Sequence, residues 1–496
     1  MASLVLGIDI GTTSTKVVLV DPGVGGVVGE AFLPVDLAST HPGWAEADPT
    51  IWWANVCAAV PHVLAMGRAA ACDIAAVATS GMVPAVVTIG GDGDPLRPAI
   101  LQNDARAGVQ VRELAAQLSD LDLVALTGSA LTQQSVAPTL NWLARHEPQV
   151  WTAARHVLGS YDWIAVKLGA PVHVERNWAL ESGLYALDTG AVLEPVLNAA
   201  ALDPAVLPPP AASGTVIGAV HTTAAASTGL RVGTPIVVGG ADHVLSAYAA
   251  GLTAPGDWLI KLGGAGDVLV VTDHVFVDPR LYLDAHPQPG SWLPNGCMAT
   301  SGSLIGWFQG VTGGASIDAL EFEAAASRPA EVICLPYFLG EKSPLHDPDL
   351  RGAFLGLHLG HGRGDLYRGV LEGIAYGFRH HADVFAERGV ALGRARVTNG
   401  GSRSRVWRQI LADALGVPLS PVSDHRGASL GAALVAAVGV GLLDDWAAGA
   451  ALVRTGDPVE PDDALQDRYR EAYQVYRAAG HALAPISHRL AARRTP

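Results

Sequence analysis

The stretch Leu4-Val-Leu-Gly-Ile-Asp-Ile-Gly-Thr-Thr-Ser-Thr-Lys-Val-Val-Leu-Val20 decides how the rest of the chain is read. An apolar run delivers Asp9, Gly11 turns the chain, and Lys16 to Val20 reads as a returning strand. Thr12, Thr13 and Ser14 then sit at the tip. Such a turn offers backbone N–H groups and hydroxyls to phosphate oxygens. The Asp9 carboxylate stands beside them, where a nucleotide-bound Mg²⁺ needs an oxygen ligand. A plain hairpin with a polar turn would use the same residues, so the remaining sequence has to decide.

A second stretch repeats the layout: Trp258-Leu-Ile-Lys-Leu-Gly-Gly-Ala-Gly-Asp-Val-Leu-Val-Val271. Two strand–glycine–strand units, each opening a large half of the chain, point to an internally duplicated α/β protein. Phosphoryl transfer requires a cradle for phosphates, a metal, and a carboxylate for the accepting hydroxyl. The first hairpin supplies one wall of the cradle, and Gly263 and Gly264 the opposite wall. Asp242 ends the apolar run Pro235-Ile-Val-Val-Gly-Gly-Ala-Asp242, directly before a helical pattern. It is placed either to cap that helix or to face a ligand as the catalytic carboxylate. A third element, Thr398-Asn-Gly-Gly-Ser-Arg-Ser404, reads as strand, glycine turn and helix start. There Gly400 and Gly401 admit a flat ring or phosphate close to the backbone.

At 496 residues, 49% of them apolar, the chain is too long for one core. Two α/β domains are expected, about 1–250 and 251–496. The net charge of −15 argues against nucleic acid as a partner. Cys57, Cys72, Cys297 and Cys334 show no metal-binding spacing and read as buried free thiols. The apolar run Ala428 to Leu443 is too short and too rich in Ala and Gly for a membrane span and reads as a buried helix. With no basic stretch leading an apolar one at the N-terminus, a cytoplasmic protein is expected. Asp48-Pro49 predicts a helix start, and 107–155 reads as mostly helical.

These motifs recur in a fixed order with several others: Gly43-Trp-Ala-Glu-Ala-Asp-Pro49, Asn103-Asp-Ala-Arg106, Leu335-Pro-Tyr-Phe-Leu-Gly-Glu-Lys-Ser-Pro344 and Glu372-Gly-Ile-Ala-Tyr-Gly377. In this the chain resembles the FGGY family of carbohydrate kinases nearly end to end. The resemblance implies a two-lobed actin/hexokinase-like (ribonuclease H-like) α/β fold with an interlobe cleft. It also implies ATP and Mg²⁺, a small sugar or polyol as the partner substrate, and a possible homodimer. Residue by residue, Asp9 would act on Mg²⁺ and Asp242 would be the catalytic base. Thr12, Thr13 and Ser14 would meet the phosphates, with Gly263 and Gly264 receiving them from the second domain. Gly400, Gly401 and Ser404 would line the nucleotide pocket. Met82, Asn103 and Asp104, with Asp242, would touch the sugar.

The overall look is nearest to xylulokinase-like members, so a ketopentose such as xylulose is the expected acceptor. A tetritol, another ketose or a carbohydrate-like signal is the alternative, as is a non-catalytic, ATP-gated binding protein. Met82-Val-Pro84 stands where those members carry Met-His-Gly, and Gln102 where Trp is common. Gly264 stands where many relatives have a hydroxyl residue. The glycine-rich run around Gly264 predicts an unusual backbone path that a side chain would strain.

Overall fold

The computed structural model describes residues 3–393 and 395–494. Two compact units form. The first comprises the chain up to Thr253 together with Asp273–Leu293 and Arg426–Val453. The second comprises Ala254–Thr272, Pro294–His425 and the chain from Arg454 onward. The units therefore do not divide at a single point near residue 250: two later segments return to the first.

The sheet of the first unit runs in the order Val216–Ala219, Pro235–Ala241, Ile74–Gly81, Leu4–Ile10, Ser14–Asp21, Gly26–Pro34. Leu4–Ile10 is antiparallel to Ser14–Asp21, with Asp9 opposite Lys16. It is parallel to Ile74–Gly81, which is parallel to Pro235–Ala241. Val5, Leu6, Ile8 and Ile10 are all fully buried, as expected of a strand covered on both faces. Val5, Val18 and Val20 pack against the helix Ala428–Gly439. Leu19, on the opposite side of the pleat, meets the C-terminal end of the helix Pro49–Met66 at Gly67. That helix starts where the sequence predicts: Pro49 occupies its first turn, and the Asp48 carboxylate accepts the Thr50 N–H at 2.9 Å.

The helix Ala428–Gly439 is buried, as its apolar composition predicts. Its small residues let it lie directly on the sheet. A Cβ on Gly7 would collide with the Ser429 carbonyl, and one on Gly431 with the Leu245 carbonyl.

In the second unit the strands run Trp292–Met298, Gly266–Val270, Trp258–Leu262, Ala395–Thr398, Leu419–Pro421. Trp258–Leu262 is antiparallel to Gly266–Val270 and parallel to Ala395–Thr398. This repeats the pairing pattern of Gly26–Pro34, Ser14–Asp21, Leu4–Ile10, Ile74–Gly81 and Pro235–Ala241, strand for strand. The duplication expected from the two glycine hairpins is thus present in the strand pairing. The long helix Arg363–Glu387 carries the second unit's core, and the C-terminal helix Gln466–Ala491 packs on it through Tyr469. The Tyr469 hydroxyl donates to Glu372 at 3.0 Å and accepts from Arg368 at 2.9 Å. Between 107 and 155 the chain forms four helices, Gly108–Gln117, Leu123–Thr127, Val136–His146 and Pro148–Ala153. All four cysteines are free; Cys334 is buried, Cys57 and Cys297 are partly buried, and Cys72 is exposed.

Candidate active site

Three parallel strands of the first unit end together. Ile10 pairs with Gly81, and Gly81 with Ala241. Asp9 with the turn Gly11–Thr13, the loop from Met82, and Asp242 therefore leave the same edge of one sheet. The C-terminal edge of parallel strands is where α/β sheets bind ligands, because the connecting loops there are free to vary around a rigid frame.

The first hairpin closes tightly, with the Gly11 N–H donating to the Ser14 carbonyl at 3.0 Å. Asp9 and Thr12 are partly exposed and Thr13 is exposed. Lys16, across the hairpin from Asp9, donates to the Arg426 carbonyl at 2.5 Å. Burial lowers the Lys16 pKa, opposed by the charges of Asp9 and Glu30. Donors at this turn are carboxylate and hydroxyl oxygens, the set a hard divalent cation takes.

Met82 is buried (1% exposed), and its N–H donates to the Ile10 carbonyl at 3.0 Å. Its carbonyl accepts from the Ser160 hydroxyl at 3.3 Å. The loop then pairs with the segment before Asn103 through Val86 and Ile100. Asn103 is exposed, whereas Asp104 is buried. The Asp104 carboxylate accepts two guanidinium N–H groups of Arg106, at 2.9 and 2.8 Å, and the Ala45 N–H at 2.6 Å. Arg106 also meets Glu46 at 2.8 Å and lies 3.7 Å from the centre of the Trp44 ring.

Asp242 opens the helix Asp242–Tyr248, and its carboxylate is 41% exposed. It accepts the His243 N–H at Oδ1, 2.6 Å away. His243 joins a group that the sequence reading does not include. Its Nδ1 lies 3.4 Å from Asp242 Oδ1, and its Nε2 lies 2.7 Å from Asp284 Oδ2 and 4.0 Å from Glu181 Oε1. Burial alone would strip the ring's proton, but the Asp284, Asp242 and Glu181 carboxylates reverse this and hold His243 well above the usual imidazole range. Burial, reinforced by the Asp284 charge, pushes Glu181 well above the usual carboxyl range. Behind them Glu175 is raised to about 7 by burial. Glu181, His243 and Asp284 place ligand atoms within 4.8 Å of one another. His243 Nε2 is hydrogen-bonded to Asp284, which makes this a linked cluster of acidic and imidazole groups. Three separate segments build it, so no single motif of the sequence encodes it.

The second unit brings its own predicted residues together. Gly263 and Gly264 follow the strand Trp258–Leu262, and Gly400 and Gly401 follow its parallel neighbour Ala395–Thr398. A Cβ on Gly263 would stand 3.2 Å from the Asn399 side chain, and one on Gly401 would stand 2.7 Å from Leu262 Cβ and run into the Trp407 ring. Ser404 caps the helix Arg405–Leu415 by accepting the Trp407 N–H at 3.0 Å. The expectation of a strained path at Gly264 is corrected. Its φ lies outside the left-handed region, and a Cβ there would meet nothing within 4 Å. The turn is held through its carbonyls instead: Gly263 O accepts from Gly302 N at 2.7 Å and Gly264 O from Ser301 N at 2.8 Å.

Comparison with known proteins places this arrangement. Residues 4–249 match the N-terminal domain, and residues 267–440 the C-terminal domain, of the FGGY family of carbohydrate kinases. The solved xylulose kinase of Rhodospirillum rubrum superposes with a TM-score of 0.91 at 42% identity, covering 98% of this chain and 100% of that one. The xylulose kinase of Escherichia coli K12 is 30% identical over 440 residues, 87% of this chain and 88% of the relative. That of Staphylococcus epidermidis ATCC 12228 is 27% identical over 481 residues, 96% of each. Among the described residues, no helix is long and apolar enough to cross a membrane. The two repeated α/β units, with their paired glycine turns, are those of the actin/hexokinase-like sugar kinases, and the chain belongs to the FGGY family of carbohydrate kinases, enzymes that phosphorylate sugars at the expense of ATP.

Proposed function

We propose that the protein transfers the γ-phosphoryl group of Mg²⁺-ATP to a hydroxyl of a ketopentose, xylulose being the first choice. The observation that carries this is the shared edge of the first unit's sheet, where the Asp9 turn, the Met82 loop and Asp242 emerge side by side. The sugar assignment is supported by the xylulose kinases among the relatives, the R. rubrum enzyme at 42% identity among them.

In this reading the acceptor hydroxyl attacks the γ-phosphorus, the bond to the β-phosphate oxygen breaks, and ADP leaves. The hydroxyl proton passes to the Asp242 carboxylate, whose 41% exposure leaves it accessible to a sugar. Thr12 and Thr13 present hydroxyls and amides to the transferring group, which need not reorganise as charge shifts. Asp9 is the residue to hold Mg²⁺, which when bound neutralises phosphate charge. The Met82 loop and Asn103 orient the sugar, while the buried Asp104–Arg106 pair fixes the backbone that carries Asn103. The turns at Gly263–Gly264 and Gly400–Gly401, with the helix start at Ser404, hold the nucleotide.

The test is ATP-coupled turnover with a panel of ketopentoses, tetritols, hexuloses and glycerol. Turnover that favours xylulose supports the proposal. Preference for a tetritol or hexulose would replace the sugar, and no turnover with any acceptor would remove the catalytic reading.

A further inference from the structure

His243 stands between two carboxylates drawn from distant parts of the chain. Asp242 is its neighbour on the same helix, and Asp284 comes from the strand Tyr282–Ala285. That strand is fixed to the first unit by the Asn177 side chain. The amide oxygen of Asn177 accepts the Ala285 N–H at 2.7 Å, and its amide nitrogen donates to the Ala285 carbonyl at 3.0 Å. Asp284 is 2% exposed and His243 21% exposed. Ionised carboxylates only accept hydrogen bonds, so a ring that faces one at each nitrogen can satisfy both only as a doubly protonated imidazolium. Glu181 faces the ring from the end of the helix Arg176–Glu181, and Glu175 lies behind Glu181.

We propose that His243 is a positioning residue for Asp242: as an imidazolium anchored by Asp284, it fixes Asp242 Oδ1 and offsets the negative charge of Asp284, so that Asp242 stays ionised and correctly turned for the sugar hydroxyl. The inference rests on the reading of Asp242 as the base. Oδ1 takes the His243 N–H at 2.6 Å and faces Nδ1 at 3.4 Å, which stops rotation of the carboxylate. Burial, and then the surrounding carboxylates, act on the ring in opposite senses, and the carboxylates prevail. Without the cation, Asp242 would face the Asp284 carboxylate unscreened, and like charges at short range favour protonation.

The signs follow for two variants. His243→Asn keeps a side-chain donor toward Asp242 but carries no charge. The acidic limb of kcat against pH then moves up by about one pH unit, and kcat at neutral pH falls about tenfold, with KM for ATP little changed. Asp284→Asn leaves the ring without its anchor. His243 then loses its proton nearer neutrality, and activity falls as pH rises through that range.

The experiment measures both pH profiles with MgATP and the preferred acceptor of the panel, beside imidazole NMR of isotope-labelled wild-type protein. The His243 signals are assigned by their loss in His243→Asn. An imidazolium at neutral pH that loses its proton more readily in Asp284→Asn, together with the shifted acidic limb, is the expected result. A neutral ring in the wild type overturns the proposal whatever the activity does. So does a wild-type pH profile in His243→Asn, or a loss that is uniform across pH and tracks reduced thermal stability. Normal turnover by Asp242→Asn would instead defeat the underlying base assignment, and the NMR arm separates that failure from this one.

Discussion

Asp104 and Arg106 form a two-pronged pair with almost no solvent contact: the carboxylate is 3% exposed and the guanidinium 1%. The resemblance would put Asp104 on the sugar. Both Asp104 oxygens already accept hydrogen bonds from Arg106 or Ala45, and we propose that Asp104 supports the loop that carries Asn103. Asp104→Ala removes one partner of a buried pair and should destabilise the protein by about 3 kcal/mol, as well as raising KM for the acceptor. Asn103→Ala, at an exposed position, should raise the acceptor KM with unchanged stability. Denaturation midpoints measured beside kinetics for both variants test this; an Asp104→Ala protein of wild-type stability would return the residue to a direct sugar-binding role.

Asp242→Asn should lower kcat by on the order of 10²–10⁴-fold while nucleotide affinity changes little. The amide has the same shape but cannot take the proton. Turnover and ADP binding by calorimetry are the measurements, and near-normal kcat would refute the assignment.

The two nucleotide-side glycines should respond differently. Gly264→Thr adds a hydroxyl into open space on an unstrained backbone. Its stability should change by no more than about 0.5 kcal/mol, with KM for ATP equal to or below that of the wild type. Gly401→Ala drives a methyl group into Trp407 and Leu262 and should cost about 1–3 kcal/mol. Equal losses in the two would contradict the described turn geometry.

Glu341 gives stability a pH dependence of known sign. Burial raises its pKa to about 7, although the Ala299 and Lys342 N–H groups, both at Oε1, work against this. A folded-state value above the unfolded one means the contribution is fully present below the unfolded value of about 4.3. It is lost as pH rises through about 7. In Glu341→Gln the amide oxygen can accept both N–H groups without a charge to desolvate. The variant should therefore gain on the wild type between pH 5 and 8, by up to roughly 3 kcal/mol. Chemical denaturation at the two pH values checks it; parallel curves would refute it.

Gly7→Ala should lose stability by at least about 1–3 kcal/mol, because the Ser429 carbonyl occupies the place of the new methyl group. Thermal unfolding gives the answer, and a neutral effect would show that the helix Ala428–Gly439 can shift away.

The strand–glycine–strand units, the helix start at Asp48-Pro49 and the strand-end position of Asp242 were legible because each is encoded within about twenty residues. Glu181, His243 and Asp284 were not, because a cluster assembled from three segments leaves no spacing to read. Gly264 misled for a related reason. A run of glycines shows that side chains are missing, but φ is set by what the carbonyls bond to, here Ser301 and Gly302. Composition correctly marked Ala428–Gly439 as a buried helix, yet nothing local shows which sheet buries it.

That last placement bears on how the protein is made. The strand opened by Leu4 leaves the ribosome before the helix that covers it, which lies more than four hundred residues later. Until that helix emerges, Val5, Val18, Ala76 and Val237 lack the partners it supplies on that face. The first unit therefore cannot complete its folding as an amino-terminal fragment during synthesis, although domains ordinarily do so. Its sheet must wait, apolar face exposed, until most of the second unit has been translated. Nascent chains stalled before residue 428 should be the species most dependent on chaperones and most prone to aggregate.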